Sequence, residues 1–230
     1  MKNKILVETE TGSYSAYLAV PQRQKGPGLL VLPEIYNSNY HIRTVADKFA
    51  EAGFLSLAPD VFWRTKPDCY LPYTADGLKT AREMNKTLDV DQLIDDLGFA
   101  LKTLRNQKQC SGDIGSVGFC LGGKLSFLCA ARLEIRAAVS YYGVNIESYL
   151  KEAGQITCPM ALHFAENDSR VPIEARQRIA EKLSTKPNTE IHVYEGAEHG
   201  FNRVGHPSYH ESAANRAWQR SVALFKEYLG

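Results

Sequence analysis

Ile114-Gly115-Ser116-Val117-Gly118-Phe119-Cys120-Leu121-Gly122-Gly123 decides the fold of this chain. A short β-branched and apolar run reads as a strand, and the small residues that follow it let the chain turn sharply into a helix. A residue two before and another two after a residue on such a turn must be small for the turn to close, and Gly118 and Gly122 meet that demand around Cys120. The sequence has the form of a nucleophile elbow with Cys where Ser is more usual. In that geometry backbone N–H groups of the new helix face the sulfur, which favours thiolate and offers a place for an oxyanion. A Gly-x-Cys-x-Gly match is equally compatible with a buried small residue in a tight strand-to-helix connection, so its partners have to decide.

Outward from the elbow, strands and helices alternate. Ile5 to Ala19 alternates apolar and polar residues about Glu10-Thr11-Gly12-Ser13, the pattern of an antiparallel hairpin with one wet face. Gly28 to Leu32 and Phe54 to Ala58 read as strands, with an amphipathic helix from Tyr40 to Ala52 between them. Helical periodicity runs from Leu93 to Leu104. Strand Ile114 to Val117, helix Cys120 to Ala131 and strand Ala137 to Tyr141 follow. Strand Pro159 to Phe164, helix Ile173 to Leu183, strand Thr189 to Tyr194 and helix Ser208 to Tyr228 complete the chain. Such alternation specifies an α/β fold, a mostly parallel central sheet with helices on both faces. With 230 residues, 44% of them hydrophobic, a single domain over 1–230 is expected. The longest irregular piece, Pro59 to Gly77, is rich in Pro, Tyr and Trp and reads as a lid or pocket wall.

Composition narrows the partners. A net charge of +1 leaves no electrostatic footprint for nucleic acid or an anionic membrane. No apolar run is long enough for a signal peptide or a membrane span, so a cytoplasmic protein is expected, binding small molecules, as a monomer or weak dimer. Five cysteines, with no Cys-x-x-Cys pair, fit a reducing compartment and neither a zinc cage nor a disulfide framework.

Two later loops supply partners for Cys120. Strand 159–164 runs into Ala165-Glu166-Asn167-Asp168, and strand 189–194 into Glu195-Gly196-Ala197-Glu198-His199-Gly200-Phe201. Asp168 alone could be a turn or capping aspartate, and His199 alone a surface histidine. Together they follow the nucleophile in the order acid then histidine, each after a later strand, as a hydrolase sheet requires. A thiol attacks, an imidazole takes and returns the proton, and a carboxylate holds the imidazole tautomer. Glu34, in Leu32-Pro33-Glu34-Ile35-Tyr36, follows another strand at the sheet edge where ligands bind in open α/β folds. It is either a solvated loop glutamate or a carboxylate that exchanges a proton with the thiol, with the Ile35 and Leu121 N–H groups as oxyanion hole. Elsewhere, His163 and His192 fall inside strands and read as sheet residues. His206 and His210 have i, i+4 spacing without a carboxylate pattern to suggest a metal. Asp89, Asp91, Asp95 and Asp96 lack the glycine of a calcium loop, Ile94 standing in its place, and read as favouring a helix N-terminus.

Pro33-Glu34-Ile35-Tyr36, Gly118-Phe119-Cys120-Leu121-Gly122-Gly123, Tyr141-Tyr142-Gly143-Val144, Asn167-Asp168 and Glu198-His199-Gly200-Phe201 together resemble the dienelactone hydrolase family over nearly the whole chain. The resemblance implies an α/β-hydrolase fold with Cys120 as nucleophile, His199 as base and acid, Asp168 as its orienting partner and Glu34 as the group that helps generate the thiolate. It implies acyl transfer from a small lactone or ester through an acyl-thioenzyme to water, with no metal or organic cofactor. Family members that open dienelactone hold its carboxylate with two arginines. Arg203 matches one, in His-x-x-x-Arg; the other falls near Leu78, Lys79 and Arg82, so Lys79 or Arg82 substitutes after a small shift or the anion site is half built. Tyr36, Trp63, Tyr73, Tyr142 and Phe201 would supply apolar pocket walls, and each could equally be core packing. Two other functions stay open: a thioesterase or other short-acyl esterase on the same triad, and a non-catalytic binding protein or redox sensor built on a reactive thiol.

Overall fold

The computed structural model describes residues 3–230, which divide into two compact units between Ile114 and Gly115. In the first, β1 (Lys4–Thr9) and β2 (Gly12–Ala19) form the expected hairpin, in register from Lys4 opposite Tyr17 to Thr9 opposite Gly12. Thr9 closes the turn, its Oγ1 donating to Gly12 O at 2.8 Å. β3 (Gly26–Leu32) and β4 (Leu55–Pro59) are almost wholly buried, as strands covered on both faces must be. β4 pairs parallel with β3 and antiparallel with β2, giving the order β1-β2-β4-β3.

Helix α1 (Tyr40–Glu51) buries Ile42, Val45, Ala46, Phe49 and Ala50, a 3.6-residue stripe, and Asn39 caps it by accepting from Ile42 N. Two further helices follow, α2 (Ala75–Lys86) and α3 (Val90–Arg105). Asp89 caps α3 with one carboxylate oxygen on the Asp91 and Gln92 N–H groups, the role expected of the acidic run, whereas Asp95 and Asp96 lie beyond the first turn and Asp96 instead binds Arg64.

The aromatic loop after β4 is pinned at two buried carboxylates. Asp60 accepts from Asn37 Nδ2 at 2.6 Å and from the N–H groups of Phe62 and Asp68. Burial pushes the Asp60 carboxyl up, against those hydrogen bonds. Asp96 accepts from Arg64 Nε and Nη2, each at 2.8 Å, and from the Trp63 indole N–H at 2.9 Å, while Tyr14 stacks on Trp63.

β5 (Cys110–Phe119) leads into the second unit, where it is followed by α4 (Leu121–Arg132), β6 (Ala138–Tyr141), β7 (Met160–Ala165), α5 (Ile173–Leu183), β8 (Thr189–Tyr194) and α6 (Glu211–Leu229). β5, β6, β7 and β8 are parallel neighbours in that order. Two 3-10 turns, Ile146–Ser148 and Leu150–Gln155, lie between β6 and β7. The register sets Phe119 beside Tyr141, Tyr141 beside His163 and Ala165 beside Tyr194. The loops leaving β5, β7 and β8 therefore open at one edge of this unit's sheet, where ligands bind in parallel α/β sheets.

A buried polar knot ties β6, β7 and β8 to α6. Arg220 donates to the Tyr194 hydroxyl at 3.2 Å, which turns the Tyr194 proton toward His163 Nδ1 at 3.0 Å. Ser221 donates to Ala217 O, so its oxygen accepts from Tyr141 at 2.9 Å and from His163 Nε2–H at 3.2 Å. His163 is thus a neutral imidazole, and burial holds it well below the ordinary histidine range, with His192 and Arg220 adding to the effect.

Candidate active site

Cys120 stands between β5 and α4 with φ 54° and ψ −112°, a backbone conformation that costs free energy for a residue with a Cβ. The turn is over-determined by its neighbours. Cys120 N–H donates to Tyr141 O at 3.0 Å, and Cys120 O accepts from Gly123 N at 3.0 Å and Val144 N at 3.3 Å. A Cβ on Gly118 would collide with the carbonyl of Gly122, and one on Gly123 would lie 2.6 Å from Gly143 Cα. Only glycine lets β5, α4 and the strand-end loop after β6 approach so closely. Leu121 opens α4, and no side chain caps that end.

Asp168 lies in the turn after β7. Its Oδ1 accepts from Arg170 N at 2.8 Å and Val171 N at 3.2 Å, which fixes the carboxylate and leaves Oδ2 for His199 Nδ1 at 2.8 Å. The acid and histidine loops are laced together by Asn167 N–H to Ala197 O and Gly196 N–H to Glu166 Oε2, both 2.9 Å. Arg176 of α5 donates to the carbonyls of Ala165 and Glu166, an anchor for the acid loop that no local motif in the sequence announces.

With Asp168 on Nδ1, the His199 ring carries its proton there and presents Nε2 to the site. Nε2 is buried and has no hydrogen bond of good geometry, although Cys120 acts on the ring. Burial pushes the imidazole down, but Cys120 and the Asp168 carboxylate outweigh it and hold His199 up at about 9. Cys120, His199 and Asp168 thus form one electrostatic group in this unit. Tyr142, at a left-handed φ of 39°, packs edge-on against the His199 ring at 5.0 Å, and Phe201 packs on Tyr142 at 5.1 Å. Of the expected wall residues, Tyr142 therefore contacts the histidine and Phe201 contacts Tyr142. Gly200, at φ 84°, lets the Arg203 guanidinium close against the backbone, and Arg203 is buried.

In the first unit Glu34 is fully buried rather than a solvated loop glutamate, and Tyr73 donates to its Oε2 at 2.7 Å. Tyr36 packs edge-on against Tyr73, and Ile35 lies in the turn that Asn37 N–H closes on Glu34 O. Trp63 is taken up by Tyr14 and Asp96, and so serves packing in this unit. Arg82 and Lys79 are exposed on α2, off its buried stripe of Gly77, Ala81 and Met84. His210 caps α6 by accepting from Ala213 N, and His206 bonds Ser208, which accounts for their spacing. Lys124, in the first turn of α4, is a buried charge that sequence reasoning passed over; its signal was a lysine inside an otherwise apolar stretch.

The model of the dienelactone hydrolase family matches residues 14–229 of the chain. A protein named "putative carboxymethylenebutenolidase" from Azospirillum brasilense is 36% identical over 230 residues, covering 96% of each chain. A carboxymethylenebutenolidase of Pseudomonas putida is 32% identical over 211 residues, covering 91% of this chain and 89% of its own. Among solved structures, a "putative dienelactone hydrolase" from Klebsiella pneumoniae superposes with a TM-score of 0.87 at 26% identity, covering 98% of both chains.

Proposed function

The chain belongs to the dienelactone hydrolase family and is a carboxylic-ester hydrolase, and on that premise we propose that it opens a small lactone or ester through Cys120, His199 and Asp168. The observation that carries this is the 2.8 Å contact between His199 Nδ1 and Asp168, on an imidazole that Cys120 holds up at about 9. A sensor thiol has no need of an oriented imidazole.

With the proton of the Cys120 thiol already held on His199 Nε2, the sulfur electron pair forms a bond to the substrate carbonyl carbon. The carbonyl oxygen takes up the negative charge and accepts from Leu121 N–H, with Ile35 N–H as the second donor that the family resemblance assigns. Collapse breaks the ester C–O bond, and His199 gives its proton to the leaving alkoxide. Water then loses a proton to His199 and attacks the acyl-thioenzyme, releasing the acid and the Cys120 sulfur. Glu34 enters by the same resemblance, as the carboxylate that helps generate the thiolate; its burial supports a chemical rather than a solvated role.

An anionic substrate is supported by buried Arg203. The exposure of Arg82 and Lys79 favours a second reading alongside it, a thioester or other short-acyl ester that needs no paired arginines. Purified protein assayed against dienelactones, p-nitrophenyl esters and acyl thioesters, beside Cys120→Ala, separates these. Preference for the dienelactones supports the lactone, preference for thioesters the second reading. Turnover undiminished in Cys120→Ala would overturn both.

A further inference from the structure

Helix α4 is buried from Leu121 to Ala130, and one charge interrupts it. Lys124 is 8% exposed, in the first turn, where the helix macrodipole disfavours a cation. An ammonium taken out of water calls for an opposing charge or acceptors. Among the described residues, Lys124 has no ion pair and no side-chain hydrogen bond. Its Nζ lies 5.9 Å from the centre of the Tyr149 ring.

The helix end supplies what is missing. Lys124 stands in the first turn of the helix whose N-terminus Cys120 caps, its N–H directed to Cys120 O at 3.4 Å, and long side chains on a helix lean toward its N-terminus. The other charged and titratable groups on the elements packed against α4 are engaged or unpaired with Lys124. Tyr141 on β6 bonds Ser221, and Glu152 in the second 3-10 turn pairs with Arg132 at 2.7 Å. Glu147 and Lys151 make no ion pair, and Asp168 is taken up by His199 and two backbone N–H groups. Burial pushes the Lys124 ammonium down from the ordinary lysine range, and Cys120 pulls it up.

We propose that Lys124 is a positioning residue that acts through Cys120, its fixed charge stabilising negative charge on the sulfur as the thiol gives its proton to His199. This rests on Cys120 being the nucleophile, but its test does not require a substrate. Iodoacetamide reports the sulfur directly when alkylation of the Cys120 peptide is followed by mass spectrometry in the full-length protein, from about pH 6 to about pH 10. Lys124→Met is expected to slow alkylation about tenfold at neutral pH and to move the pH–rate profile upward by about one unit. Lys124→Gln should do the same, and Lys124→Arg should restore the wild-type profile. A merely structural lysine would leave the profile in place. Wild-type rates and profile in both neutral variants, with native melting curves, would overturn the proposal. A protein that hydrolyses no ester tested yet shows the tenfold fall keeps this inference and loses the hydrolase mechanism; ester turnover with an unmoved profile does the reverse.

Discussion

Asp168 Oδ2 lies 2.8 Å from His199 Nδ1, while the other oxygen of the same carboxylate is held by the N–H groups of Arg170 and Val171. The acid is locked by backbone before it meets the imidazole, so the histidine inherits a fixed orientation from the turn after β7. Asp168→Asn keeps one oxygen for those N–H groups but can turn an amide toward Nδ1, imposing the wrong tautomer. The expected result is a fall in kcat of about a hundred- to ten-thousandfold with a nearly unchanged melting temperature. Steady-state kinetics checks the first and calorimetry the second.

His199 also links the site to stability. Its folded value, about 9, lies above the ordinary 6.5, so its contribution is fully present below about 6.5 and is lost as pH rises through about 9. Part of that elevation comes from Cys120. Thermal midpoints of the wild type should therefore fall between pH 6.5 and 9 more steeply than those of Cys120→Ala. Parallel curves for the two proteins would contradict the coupling.

His163 has the opposite sign. It is neutral and buried, its folded value lies below the unfolded 6.5, and its contribution is present above about 6.5 and lost as pH falls below it. His163→Phe should flatten the acid side of the stability profile. At neutral pH it should cost about 1–3 kcal/mol by stripping partners from Tyr194 and Ser221, measured by denaturant unfolding.

The approach of α4 to the loop after β6 is tested at Gly123, where a Cβ would sit 2.6 Å from Gly143 Cα, a backbone atom that cannot swing away. Gly123→Ala should destabilise by about 1–3 kcal/mol, seen as a lower urea midpoint, and should lower turnover by displacing the elbow.

Much of this was legible in the residues. The elbow could be read because Gly118, Gly122 and Gly123 answer a steric demand local to ten residues, and the strands because apolar runs such as Leu29 to Leu32 leave few alternatives. Asp168 and His199 were legible by order, each following a strand of the same parallel set. Helix α2 was not, since only Gly77, Ala81 and Met84 of its twelve residues are buried and its stripe is faint. The roles of Trp63 and Asp60 were hidden for another reason: their partners, Asp96 and Asn37, lie 33 and 23 residues away. The burial of Glu34 likewise depends on packing that no local pattern encodes, whereas Lys124 was marked by the apolar residues around it in α4.

In the proposed mechanism the Cys120 sulfur carries the acyl group. Protein mixed with p-nitrophenyl acetate, quenched in acid during turnover and digested, should show one acetyl group on the peptide containing Cys120. Cys120→Ala should show none and should lose turnover by about a thousandfold or more. An acetyl group that accumulates on another residue, with turnover surviving in Cys120→Ala, would contradict the account.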